Sequence, residues 1–175
     1  MPLSQPKEFI VELHKLAGAK DRGALADLRH GVAGAAAHRA WPHIAPFCDL
    51  RNEKALSAYL VVGAGFAMHE ASDPSAGNLG NTLRRIAVEG KNSDKTEALN
   101  SFAARFRRLL TCSTSEEVCR HLPGILRAAA RKGVPVNYEL LLEDLLQWDE
   151  PVKLRWASAY WGTPPAESAN GGHEQ

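Results

Sequence analysis

Arginine is the residue type whose spacing in this chain suggests chemistry. In one helix-period segment Arg120, Arg127 and Arg131 are separated by seven and four positions. At ~100° per residue this places them close to a single line along a helix. The preceding segment carries Arg105 and Arg108, three apart, with Arg107 beside them, and Arg84-Arg85 close a shorter one. A guanidinium stays charged near neutral pH and donates through a planar fork, so such rows suit phosphate oxygens. They equally suit plain solvation, because Arg and Lys populate the water face of most helices and favour their C-termini. No aromatic residue lies within the rows, so base stacking is not indicated, and Trp148, Trp156 and Trp161 read as core or subunit-contact residues. No helix pair with polar base-reading side chains stands out either. If nucleic acid is the ligand, the pattern predicts backbone contact without base readout.

Other chemistries find less support. There is no phosphate-binding glycine loop, His-Glu-x-x-His or Cys-x-x-Cys. Gly63-x-Gly65 sits inside a helix-period segment rather than after a strand, which reads as packing and not as a dinucleotide turn. His38 and His43 are five apart with Trp41-Pro42 between them, a poor spacing for a metal pair. His69 and Glu70 are neighbours, pointing different ways on a helix, and Glu143-Asp144 read as a solvated helix edge. No Glu-x-x-His pairs exist to build a di-metal site. The expectation is a non-enzymatic chain without metal or cofactor.

The charge is unevenly spread. The formal net charge is +1, but residues 79–132 carry 11 Lys+Arg against 5 Asp+Glu, and residues 133–175 carry 2 against 7. A basic middle therefore faces an acidic end, as two solvated faces, an internal pairing or a binding surface. Cys48, Cys112 and Cys119 are odd in number and scattered, as expected of reduced thiols in a cytosolic protein. No apolar run approaches the ~20 residues of a membrane helix, and the first residues lack the pattern of a secretion signal.

The elements that must position the arginines are all helical. The fold class expected is all-α, a bundle of about seven or eight helices, possibly two packed halves, over residues 1–162, with a disordered tail at 163–175. The first helix covers about Pro6 to Ala17, with Phe9, Ile10, Leu13 and Leu16 on one face. A second begins near Asp21, a suitable N-cap, and carries Leu25, Leu28 and Val32. Trp41-Pro42 and Ala45-Pro46 break the chain. A third helix runs from about Asn52 to His69, with small residues at Ala58, Gly63, Ala64, Gly65 and Ala67 for close packing. After a loop from Glu70 to Asn78 comes a short helix with Leu79, Leu83 and Ile86 inward. Asp94 and Glu97 have capping-box spacing ahead of a stripe of Leu99, Phe102, Ala103, Phe106, Leu109 and Leu110. Ser113 and Thr114, each followed three residues later by Glu, open the next helix, whose core face is Val118, Leu122, Ile125, Leu126 and Ala129. Pro123 is expected to kink or split it, and Gly133 to cap it. Asn137 and Pro151 open the last two, with Leu140, Leu141, Leu145, Trp148, Trp156 and Tyr160 inward.

Taken together, these segments resemble a known family. Arg22-Gly23-Ala24-Leu25-Ala26-Asp27-Leu28-Arg29 resembles the early element of CasB, the small subunit of the type I-E CRISPR Cascade complex. Similar stretches follow at Asn78 to Arg84, Arg105 to Leu110, His121 to Leu126, Val136 to Trp148, Lys153 to Trp156 and Tyr160-Trp161. The resemblance spans roughly residues 9 to 161, and the order and spacing of the pieces carry it. It implies an all-α, non-catalytic protein whose two copies lie head to tail in Cascade, beside the crRNA-bearing backbone subunits and the large subunit. It further implies contact with crRNA, target DNA and the displaced strand without sequence specificity, stabilising the R-loop. Transferred onto matching or adjacent segments, the site residues are Arg29, Arg84, Arg105, Arg108, Arg127, Arg131 and Lys132, joined by Arg85, Arg107 and Arg120 from the rows. Where some members carry a second basic residue after the early element, this chain has His30. The alternative is a helical adaptor that binds only protein, its arginines meeting acidic surfaces such as the acidic end of another copy.

Overall fold

The computed structural model describes residues 5–90 and 94–162. The expected tail at 163–175 lies outside the described residues. Among them are nine α-helices: α1 (Pro6–Gly18), α2 (Arg22–Arg29), α3 (Trp41–Ile44), α4 (Glu53–Met68), α5 (Leu79–Val88), α6 (Lys95–Leu110), α7 (Ser115–Lys132), α8 (Tyr138–Leu146) and α9 (Glu150–Trp161). The all-α reading holds, since these residues form no strand and a single parallel bridge pairs Ser72 with Val136.

The extra helix, α3, is one turn at Trp41-Pro42, where the sequence predicted a break. Proline is compatible with the first turn of a helix because its missing N–H has no partner to lose there. Around it, residues 30–32 and 34–40 wind as short 3₁₀ turns.

Capping sets most boundaries. The side chains of Asp21, Asn52, Asn78, Asp94, Thr114, Asn137 and Asp149 each accept a bond from a free backbone N–H of the following first turn. Glu117 completes the cap of α7, accepting from Ser113 N at 2.7 Å. Gly133 ends α7 at φ 64°, a left-handed conformation that favours glycine. Between those caps α7 runs through Pro123 without a split. The missing proline N–H removes one bond, to the Cys119 carbonyl, and seventeen other residues hold the helix.

Helix α4 is the centre of the fold, buried on every side from Val61 to Ala67. Its small residues admit neighbours closely. A Cβ at Gly63 would stand 3.1 Å from Leu28 and 3.2 Å from Phe9, and one at Gly65 would stand 2.5 Å from Leu126. Thus α1, α2, α7 and α8 all pack on α4. Helices α5, α6 and α9 form a second layer, tied by Gly80, whose missing Cβ lets α5 rest on the Trp156 backbone of α9. The loop before α5 is fastened by Asp73 N to Val136 O (3.1 Å) and Val136 N to Ala71 O (3.0 Å).

One electrostatic expectation is overturned. Asp144 is not on a solvated edge: it is buried, accepting 2.7 Å from Trp156 Nε1 and 3.1 Å from Arg155 Nη2. Its partners lie on α9, eleven and twelve residues downstream, so local periodicity carries no sign of them.

Candidate nucleic-acid interface

Helices α6 and α7 form a hairpin joined at residues 111–114 and held from behind. Val118, Leu122 and Leu126 anchor α7 in the core, while Ala103, Phe106 and Leu109 do the same for α6. The turn is pinned by Trp148 Nε1, which donates to Cys112 O at 3.2 Å. On the solvent side the two helices stand apart, leaving a groove of about 330 Å³. Phe102, Leu109 and Ile125 line it beside Arg105, Arg108, Arg131 and His121. None of these four basic side chains makes an ion pair among the described residues. The Arg105 guanidinium lies 5.8 Å from the centre of the Phe102 ring, which restricts its motion while leaving its N–H groups free. Among the described residues acids enter only at the far end, where Asp94 and Glu97 share a second depression with Arg105 and Lys132.

The ten residues expected at the site do not share one surface. Arg105, Arg108 and Arg131 meet in the groove. Arg127 is exposed on the crest of α7, and Arg120 lies beyond it in a wider cleft of about 740 Å³ against Val32, Glu53 and Leu56. The row read from spacing as one line therefore straddles two concave surfaces. Arg85 is exposed at the end of α5, and its charge helps hold the Asp73 carboxyl below its usual range, after the larger effect of the Ser75 hydrogen bonds.

Three further cations are engaged internally. Arg29 Nε donates to Ala67 O (3.0 Å), Arg84 Nη1 to Tyr160 O (2.6 Å) and Lys132 Nζ to Ile86 O (2.7 Å). Each acceptor is at or near a helix C-terminus, where free carbonyls attract cations. These three side chains tie helices together as well as carrying charge.

Arg107 departs furthest from the sequence reading. It leaves the groove on the opposite flank of α6, with its guanidinium 5.7 Å from the centre of the Trp161 ring of α9. The chain fold thus brings a second aromatic ring, after Phe102, against a guanidinium of α6. A second unforeseen cluster joins Arg39 to Asp27 at 2.9 Å and to His30 Nε2 at 2.9 Å. His43 at 3.4 Å, and then Arg39, hold the Asp27 carboxyl below its usual range. Arg39 thereby sets a guanidinium beside His30 from nine positions away, but one whose charge is balanced by Asp27.

Among the described residues no three metal-ligating side chains converge, and no helix is long and apolar enough to cross a membrane.

Comparison with known proteins agrees with this architecture. The family described as CRISPR-associated protein Cse2 matches residues 24–161. A solved CRISPR-associated protein of the Cse2 family from Thermus thermophilus is 25% identical, with a TM-score of 0.71 over 92% of this chain and 100% of that one. A structure of CasB from Thermus thermophilus is 26% identical, with a TM-score of 0.68 over the same shares. A chain of a CRISPR RNA-guided surveillance complex has the same fold at 24% identity, with a TM-score of 0.67 over 89% and 90%. No curated protein matches the chain. Because the family match runs from the second helix to the last described one, the chain belongs to the Cse2, or CasB, family of CRISPR-associated proteins.

Proposed function

We propose that this chain is the non-catalytic small subunit of a type I-E CRISPR surveillance complex, acting in the cytoplasm. In that role it holds crRNA, target DNA and displaced-strand backbones without reading sequence, and so stabilises the R-loop. Its partners in this reading are the crRNA-bearing backbone subunits, the large subunit and a second copy of itself. The observation that carries the reading is the groove between α6 and α7, where Arg105, Arg108 and Arg131 face solvent without acidic partners among the described residues. Membership of the Cse2 family and the fold shared with a surveillance-complex chain support the setting. A protein serving every guide must not depend on bases, and fixed guanidinium groups supply sequence-independent affinity by releasing counterions. A weak contact suffices inside an assembly, where tethering raises effective concentration.

The adaptor reading draws on a different observation, the exposed apolar side chains of Val11, Trp41 and Leu154. A gel-shift titration at low salt with unrelated DNA and RNA oligomers separates the two. The proposal expects retarded bands with every sequence, weakened at least tenfold by Arg108→Glu combined with Arg131→Glu at an unchanged circular dichroism spectrum. No retardation by the chain, alone or reconstituted with its complex, would favour the adaptor.

A further inference from the structure

We propose that Trp161 is a stacking platform for one unpaired nucleobase at the outer edge of the basic face. The inference rests on the reading that this face binds nucleic acid. Trp161 ends α9 and is 40% exposed, whereas Trp148 and Trp156 are buried. Its ring is fixed in place: Phe106 lies at 4.9 Å and 48°, and Tyr160 meets it edge-on at 5.1 Å and 83°. Tyr160 is itself held, its hydroxyl donating to Leu99 O at 2.8 Å. Phe106 and Arg107 both reach the ring from α6, with the guanidinium over it, and among the described residues the side chain keeps a large part of its surface exposed. A large exposed aromatic surface that is already immobile loses little entropy when a base covers it.

The charges around it make a single strand the fitting occupant. Arg107 lies over the ring, and Arg84 reaches the end of α9 to donate to the Tyr160 carbonyl next to it, so two guanidinium groups stand at this end of the helix. Around α6, at ~100° per residue, Arg105 and Arg108 border the groove, whereas Arg107 lies about 200° from Arg105, at the other margin of the exposed face. A strand leaving the groove would cross α6 past Arg108 to reach Arg107 and then Trp161. The width of a helix, ~10 Å, is a distance that two nucleotides span readily. A duplex would keep its bases paired and offer the ring nothing, and an acidic protein surface would use the arginines but not the ring. Stacking tolerates any base, so the platform adds affinity without sequence preference.

The test compares two probes of equal length and charge, oligothymidylate and an abasic oligomer, binding to the full chain. Wild type should bind the base-bearing strand about fivefold or more tightly, given the ~1–3 kcal/mol per stacked base. Trp161→Ala should close that gap while leaving the abasic affinity unchanged, and Trp161→Phe should preserve most of it. In a Trp41→Phe background, oligothymidylate should quench the exposed tryptophan emission and the abasic strand should not. Equal wild-type affinity for both probes, or an equal loss for both in Trp161→Ala and Trp161→Phe, overturns the proposal and makes the ring a structural or protein-contact residue. The groove is scored separately by Arg108→Glu with Arg131→Glu, which should weaken both probes. If that variant changes nothing while Trp161→Ala removes the base preference, the groove reading fails and the stacking site stands. Absence of binding to either probe at low salt sinks both.

Discussion

The groove makes a quantitative prediction about salt. Arg105, Arg108 and Arg131 line it without ion pairs among the described residues, so each is free to displace one condensed counterion from a bound strand. On a single strand each phosphate so neutralised contributes about −0.7 to the slope of log K against log salt, and three contribute about −2.1. Between 50 and 200 mM salt, about 0.6 log units, wild type should lose about 20-fold more affinity than the triple variant Arg105→Ala, Arg108→Ala, Arg131→Ala. Fluorescence anisotropy of a labelled oligomer, titrated at four or five salt concentrations, reads both slopes. The control is Arg84→Ala with Lys132→Ala, whose donors serve the Tyr160 and Ile86 carbonyls. It removes two hydrogen bonds from cations to carbonyls, each worth about 1 kcal/mol, and should lower the melting temperature by about 4–8 °C while changing the slope less than the groove triple does. An unchanged slope in a folded triple variant would refute the reasoning. So would a control pair that flattens the slope as much as the groove residues do.

Other outcomes follow from single contacts. Gly80→Ala drives a Cβ into the Trp156 backbone and should cost about 3 kcal/mol or more in a urea titration, because neither helix has a flexible side chain to move aside. Gly124→Ala, with nothing within 4 Å of the new Cβ, should instead stabilise by about 0.5–1 kcal/mol. Asp144→Ala leaves the buried Trp156 Nε1 without its acceptor and should cost about 3 kcal/mol, seen as a fall of roughly 10 °C in melting temperature, with Asp144→Asn retaining part of the difference. Burial pushes the Cys48 thiol up to about 11 and the Cys119 thiol up to about 12. In the folded chain at pH 8 these thiols should react slowly with a disulfide reagent and rapidly once denatured. The sign for stability follows, since a raised folded value favours the fold below the ordinary thiol value near 9 and is lost through 11 to 12. An alkaline melt should therefore weaken progressively above about pH 9, and a Cys48→Ala, Cys119→Ala variant should weaken less.

Helix existence and most helix starts were legible in the sequence because both rest on local physics. The 3.6-residue apolar period marks the face a helix must bury, and Asp21, Asn52, Asp94, Thr114 and Asn137 each satisfy N–H groups two or three residues away. Gly133 is equally local, because a left-handed residue closes the last turn of its own helix. The arginine rows were visible too, but spacing fixes only the angle of a side chain on its own helix. It does not say what stands opposite. Tertiary packing decided that Arg105, Arg108 and Arg131 share a groove, that Arg120 falls in a separate cleft, and that Arg29, Arg84 and Lys132 bind carbonyls of distant helix ends. It buried Asp144 under Trp156 and set Trp161 beside Arg107, joining residues 12 and 54 positions apart in the chain. Those pairings depend on how α9 lies across α5 and α6, a geometry set by Gly80 and by the summed fit of many apolar side chains. No short window contains both partners, so the free charges and the engaged ones could not be told apart until the helices were packed.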